Sequence, residues 1–300
     1  MNNSDSKIHT PVLEEEVIDY LKPKSDKNYI DCTLGWAGHT LKILEKNGPN
    51  GKVLGLDADS AIQDEARKII ENAEYGERVV LVNKNFSNLK NIAQSQKFFP
   101  VSGILFDLGF SSWHLEKSGR GFSFQRDEDL DMRYDLQSSL KASDIVNYWS
   151  LSEIERILKE YGEESWARKI SLSIIEARKK ENIQTTGQLV RMIQRTIPFK
   201  RGKIHTATKT FQALRIAVND ELNNLSKALF QAVEILEPGG RLAVISFHSL
   251  EDRIVKRFLK QKASENLINI LTKKPVGPLR EEIRRNPRAR SAKLRAAEKI

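Results

Sequence analysis

Apolar positions fall into two alternating rhythms over the first third of the chain. Short runs rich in β-branched and aromatic residues occur at 29–33, 52–57, 78–83 and 103–107, and these read as strands. Between them the apolar residues recur three and four apart, as with Leu41 and Leu44, which predicts helices at 38–46 and 59–73. Thr10-Pro11 has the form of a helix cap followed by proline at the first helical position, with Val12, Leu13, Val17 and Leu21 as the buried stripe. Regular alternation of this kind predicts an α/β domain with a mostly parallel sheet and helices on both faces.

The alternation then stops for about a hundred residues. Positions 113–135 form a polar, glycine-containing stretch too long for a simple connection. Helical signals follow: Ser152-x-x-Glu155 as a capping box, the stripe Trp166, Ile170, Ile174 and Ala177, and Thr185 as the cap of a helix ending before Pro198. One long helix is predicted from Phe211 to Leu236, stopped by Pro238-Gly239-Gly240. Strand 241–247, helix 250–259 and strands at 268–271 and 291–300 complete the pattern. The expected organisation is therefore a sheet domain in two pieces, 1–112 and 211–300, interrupted by a mainly helical substrate-recognition domain at 113–210.

Candidate chemistry gathers at the first strand–helix junction, Asp31-Cys32-Thr33-Leu34-Gly35-Trp36-Ala37-Gly38-His39. Two glycines let the chain reverse and bring bare backbone to a ligand at a helix N-terminus, although an ordinary loop would look similar. The second strand ends at Asp57, where a carboxylate can accept from ribose hydroxyls. Parallel sheets bind ligands at the carboxyl ends of their strands, which would assemble Gly35, Asp57, Phe86 and Asp107. The third glycine of a dinucleotide fingerprint is absent, since position 40 is Thr and Ala37 replaces a glycine, so an adenosine ligand without phosphates, such as S-adenosylmethionine, fits better than NAD.

Charge adds a partner class. The chain carries a net +9, and it is uneven. Residues 271–300 hold ten Lys or Arg against three Glu, and 187–218 hold seven basic residues and no acid. Such clusters suit a polyanion, though charge alone does not separate that from a solvated basic surface. The single Cys32 excludes an internal disulfide and a multi-cysteine zinc site. The polar start and the absence of a long apolar run lead us to expect a cytoplasmic protein without a membrane span.

Several ordered motifs sharpen this. His9-Thr10-Pro11-Val12-Leu13, Asp31-x-Thr33-x-Gly35-x-x-Gly38-His39, Asp107-Leu108-Gly109-Phe110-Ser111-Ser112, Arg120-Gly121-Phe122-Ser123-Phe124, Leu130-Asp131-Met132-Arg133, Thr210 through Asn219, Ser246 through Arg253, and Asn286-Pro287-Arg288-Ala289-Arg290-Ser291 occur in sequence. Over nearly the whole chain they resemble the bacterial 16S ribosomal RNA cytosine-N4 methyltransferases, the RsmH or MraW family. The resemblance implies a class I, Rossmann-like methyltransferase fold, S-adenosylmethionine as donor, and a cytosine in the decoding region of the small ribosomal subunit as target. It places cofactor contacts on Ala37, Gly38, His39, Asp57, Phe86, Asp107 and His114; Ala37 and His114 stand where many members have glycine and glutamine. Ala37 suits the turn if its φ is negative or if the strain of a positive φ is absorbed.

Three functional readings stay open on the residues themselves: an RNA methyltransferase, an NAD-dependent enzyme, and a non-catalytic RNA-binding or assembly protein. Arg120, Phe122 and Phe124 combine arginine, glycine and aromatic rings as a base-stacking surface would, and Lys200, Arg201, Lys203, Arg288 and Arg290 are placed to hold phosphates. Asp107-x-x-Phe110 offers an acceptor for an amine and a stacking face, as a catalytic pair would. The histidines have no spacing that argues for a metal.

Overall fold

The structure, a computed structural model, describes residues 11–197 and 205–300. Its elements in chain order are α1 (Glu14–Leu21), β1 (Tyr29–Asp31), α2 (Gly38–Lys46), β2 (Val53–Asp57), α3 (Ser60–Asn72), β3 (Val79–Asn83), α4 (Leu89–Ser95) and β4 (Val101–Asp107). Next come α5 (Ser112–Glu116), α6 (Ala142–Tyr148), α7 (Leu151–Glu160), α8 (Ala167–Arg178), α9 (Thr186–Thr196) and α10 (Thr208–Asn219). The chain closes with α11 (Glu221–Ile235), β5 (Leu236–Ser246), α12 (Ser249–Ser264), β6 (Ile268–Ile270), α13 (Arg280–Arg285) and β7 (Lys293–Lys299). It divides into two compact units, Met1–Gly109 with Leu222–Ile300, and Phe110–Glu221.

The first unit holds a seven-stranded sheet in the order β3-β2-β1-β4-β5-β7-β6. Strands β1 to β5 pair in parallel, and β7 runs antiparallel to both β5 and β6. This is the Rossmann-like sheet of class I methyltransferases that the motifs implied. Strand β4 explains the buried arrangement: every residue of Val101–Phe106 is buried, the continuous apolar run of a strand covered on both faces. Strand β1 pairs with β2 on one side and β4 on the other, so the direction of strand addition reverses there. A crevice at that switch point, at the strands' carboxyl ends, is where an open α/β sheet takes its ligand.

Two expectations about this unit change. Strand β5 begins at Leu236, five residues earlier than the pattern suggested, because Leu236 pairs with Val101 and Arg241 with Gly103. Pro238-Gly239-Gly240 is thus an irregularity inside the strand, with Gly239 at φ 77°, and not the end of a helix. The predicted single helix across 211–236 is two helices. Asp220 takes φ 49° and ψ 38°, which ends α10 and breaks the ladder before α11.

The second unit is built on its own apolar cluster, in which Ile145, Ile154, Ile157, Ile170, Ile174, Leu189, Ile193 and Leu214 are fully buried. Helix α7 is capped by Ser150 and not by Ser152, as the sequence suggested: Ser150 is extended, its hydroxyl accepts from Glu153 N at 3.3 Å, and Glu153 Oε2 accepts from Ser150 N at 2.8 Å. Ser152 already lies inside the helix. Thr185 does cap α9, in a box with Gln188. Asn219, the last residue of α10, accepts from Tyr134 N at 2.9 Å and donates to Met132 O at 2.8 Å, tying the 130–135 segment to the helix.

Candidate cofactor site at the carboxyl ends of the strands

Three carboxylates define the first unit's site, each delivered by the end of a strand. Asp31 closes β1 fully buried; its Oδ2 accepts from Thr40 Oγ1 at 2.8 Å and its Oδ1 from Thr33 N at 3.1 Å. Thr33 in turn accepts from Asp107 N at 2.6 Å through Oγ1, joining the ends of β1 and β4. Asp57 closes β2, its Oδ2 accepting from Gly35 N at 3.0 Å and its Oδ1 from Asp59 N at 2.9 Å. Each oxygen retains acceptor capacity, so a pair of ribose hydroxyls could still donate to this carboxylate. Burial raises its pKa to about 7, against the lowering pull of the Asp59 and Gly35 amides.

Asp107, at the end of β4, differs. Its Oδ2 lies 3.6 Å from His39 Nε2, while its Oδ1 is buried with no hydrogen-bond partner among the described residues. A buried acceptor without a donor is costly in a folded protein and is the mark of a ligand or substrate position.

The turn between β1 and α2 is tight for identifiable reasons. Gly35 takes φ 51°. A Cβ on Gly38 would come within 3.1 to 3.3 Å of three atoms of the Pro11 ring, so glycine there lets the entry to α1 lie against the start of α2. Ala37 has φ 62°, so the strain is present; its methyl is fully buried beside Leu34, Ala66 and Ile70, which holds it in place. The Pro11 segment is itself held from the far end of the chain. Leu13, fully buried at φ 54°, donates its N–H to Glu282 Oε1 of α13 at 2.8 Å. Replacing Glu282 by Ala leaves that amide without its charged acceptor and should lower stability by about 1.5 to 3 kcal/mol; an unchanged denaturant midpoint would contradict this role.

Of the residues the sequence singled out, Gly35, Ala37, Gly38, His39, Asp57 and Asp107 are brought together by these bonds. Phe86 follows β3 and packs edge-on to Phe106, ring centres 5.4 Å apart. Phe110 and His114 belong to the second unit. There His114 is buried against Phe122 at 4.8 Å and Tyr134 at 5.0 Å, and its Nδ1 accepts from Ser111 N at 3.2 Å as part of the α5 cap. Phe110 stacks on Phe122 at 6.2 Å and lies under the Arg215 guanidinium at 4.7 Å. Arg215 is fixed by two bonds to Glu221, at 2.8 and 3.0 Å.

The 113–135 segment corrects the expected base-stacking surface. Arg120 is only 8% exposed; its Nη1 donates to Arg133 O at 2.9 Å and Tyr134 O at 3.2 Å, and its guanidinium covers Trp113. Phe122 is 6% exposed inside the second apolar cluster. Both side chains help close their own loop. Phe124 is half-buried and stacks on His205 at 4.6 Å. Arg288 and Arg290 are exposed on the short turn after α13. Lys200, Arg201 and Lys203, and His9 among the motif residues, lie outside the described residues.

Asp31, Thr33 and Thr40 form the bonded frame beneath the site, a role the sequence pattern did not assign to them. His248 caps α12, and Glu251 Oε2 accepts from Phe247 N at 2.8 Å and His248 N at 3.2 Å. No helix of the described residues is long and apolar enough to cross a membrane.

Comparison with known proteins fits this geometry. The MraW methylase family matches residues 6–300. Ribosomal RNA small subunit methyltransferase H of Thermomicrobium roseum is 47% identical over 310 residues, covering 98% of this chain and 94% of that one. The proteins of the same name from Persephonella marina, 45% identical with 97% and 99% covered, and Thermosipho melanesiensis, 46% identical with 97% and 98% covered, are similar over the same span.

Proposed function

This chain belongs to the MraW methylase family, and from that premise we propose that it methylates the N4 amine of a cytosine in 16S ribosomal RNA, in the decoding region of the small subunit. Small-subunit ribosomal RNA methylation is the activity its relatives' names carry. The methyl donor is S-adenosylmethionine, which when bound supplies an electrophilic sulfonium methyl group. The residues fit it: Asp57 for the ribose, the glycine turn for the close approach of backbone, and the start of α2 beneath them.

The observation that carries the amine assignment is the unpartnered Asp107 Oδ1. A cytosine amine is a weak nucleophile because its lone pair is delocalised into the ring. A carboxylate accepting one N–H favours the pyramidal nitrogen and fixes its direction. With the donor bound, its sulfonium would supply the methyl carbon to N4 and retain the departing bonding pair on sulfur, while Asp107 would accept the N4 proton and pass it to water. The base must be out of its stack for this geometry, which flanking protein surfaces have to stabilise.

Phosphate grip is assigned to the C-terminal segment with Arg284, Arg285, Arg288 and Arg290 and to the basic stretch 187–218. Charge reversal at Arg288 and Arg290 together should weaken RNA binding and reduce the slope of log K against log salt by about two, while sparing cofactor affinity. Charge reversal at Lys200, Arg201 and Lys203 should do the same with the slope reduced by about three; an unaltered slope would make these residues solvated surface.

The activity is tested with purified protein, methyl-labelled S-adenosylmethionine and either 16S RNA or small subunits, followed by digestion to nucleosides. Label is expected in N4-methylcytidine. Label in a ring-carbon or ribose methyl would overturn the amine assignment, and RNA binding without transfer would favour a non-catalytic protein.

A further inference from the structure

We propose that His39 is the buried counter-ion of Asp107, a positioning residue that keeps this carboxylate aimed while it accepts the amine, so that the acceptor is a pair and not a single side chain. This rests on the role of Asp107 given above. His39 is 5% exposed, its Nε2 sits 3.6 Å from Asp107 Oδ2, and neither ring nitrogen has a hydrogen-bond partner among the described residues. A neutral imidazole buried with both nitrogens unsatisfied gains nothing from its position, whereas an imidazolium beside a carboxylate does.

The charges around it point the same way. Asp31 of β1 is buried and Asp107 of β4 half-buried, and Glu14 of α1 also acts on the ring. On His39's own helix Lys42 is the nearby cation, but its Nζ is already shared between Glu14 at 3.7 Å and Glu45 at 3.3 Å. Burial pulls the imidazole pKa down, and Asp107, then Asp31 and Glu14, raise it further than burial lowers it. With the cation in place Asp107 and Asp31 tolerate each other at the strand ends. Without it, Asp107 lies near the buried Asp31 carboxylate with no compensating cation and loses the partner that aims it at the amine.

The test uses the full-length protein with saturating S-adenosylmethionine and RNA, and follows single-turnover methylation from pH 5.5 to 9 for wild type and His39→Gln, with calorimetry confirming cofactor saturation. The amide keeps a donor toward Asp107 and loses the charge. At pH 6 the variant should be about ten-fold slower, and the two rates should converge at high pH, where wild-type His39 has also lost its proton. A variant whose profile parallels wild type at every pH overturns the proposal, because a purely structural loss lowers the rate uniformly. If His39→Gln does not fold, the imidazole is titrated by NMR in wild type and in Asp107→Asn. The His39 titration should move to lower pH in Asp107→Asn, and an unmoved titration overturns the pairing. Failure of wild type to methylate any RNA would instead remove the proposed function, while the NMR titration would still report on the pair.

Discussion

Asp107→Asn is expected to slow single-turnover methylation about a hundred-fold at saturating cofactor and RNA. The substitution keeps the size of the side chain and one acceptor, and removes the charge that makes the acceptor strong. A positioned proton acceptor contributes on the order of a hundred- to ten-thousand-fold, so a hundred-fold loss is the lower end of that range, appropriate where one weaker acceptor remains. Two geometric facts support a direct role: the carboxylate's Oδ1 is buried without a donor among the described residues, and its main-chain N–H is fixed by Thr33 Oγ1 at 2.6 Å. The side chain is thus aimed by a bonded frame and left open at its tip. A full rate with only weakened cofactor binding would make Asp107 a methionine-positioning residue and move the amine's acceptor to Ser111, Ser112 or the Phe247-His248-Ser249 segment.

Asp57→Ala should raise the cofactor dissociation constant ten- to a hundred-fold by calorimetry, since the charge-assisted hydrogen bonding lost at the ribose is worth about 1.5 to 3 kcal/mol. The wild-type affinity should also depend on pH. Burial raises the Asp57 pKa to about 7, and hydroxyl donors favour the ionised form, so binding displaces a proton and affinity falls as pH drops below about 7. Asp57→Ala should lack this limb. Stability has the opposite sense. The folded-state pKa lies above the ordinary 3.8, so the fold holds the proton more tightly than the unfolded chain, and Asp57 contributes stability at low pH that is lost as pH rises from about 4 to about 7. A pH-independent affinity in wild type would contradict the ribose assignment.

Much of the fold was legible because strands buried on both faces read as unbroken apolar runs, and because the helices between them carry strong three-four spacing. What the pattern hid were local backbone events. The break at Asp220 falls within a spacing that never falters, since Phe211 to Leu236 stays in phase on either side of one left-handed residue. The irregularity at 238–240 has the composition of a turn while lying inside a strand. Ser150 and Ser152 offer competing caps, and only the start of α7 decides between them.

In the site, Gly35, Asp57 and Asp107 could be found from spacing, because a parallel sheet delivers the ends of its strands to one edge. The frame of Asp31, Thr33 and Thr40 could not, since short polar residues next to a glycine turn look like loop composition until their bonds are seen. Arg120 and Phe122 show the converse. Arginine, glycine and aromatic residues at that spacing serve equally to stack on bases or to close a loop on its own carbonyls, and burial alone separates the two.

The central claim, methylation of a cytosine amine in small-subunit RNA, is tested most directly by mass spectrometry of 16S RNA from cells with and without this protein. Cells lacking it should lose one methyl group, mapped to the exocyclic nitrogen of a single decoding-region cytosine, and regain it on re-expression of the wild-type chain but not of Asp107→Asn at a matched short induction. An unchanged set of methylated nucleosides in the cells lacking the protein would contradict it.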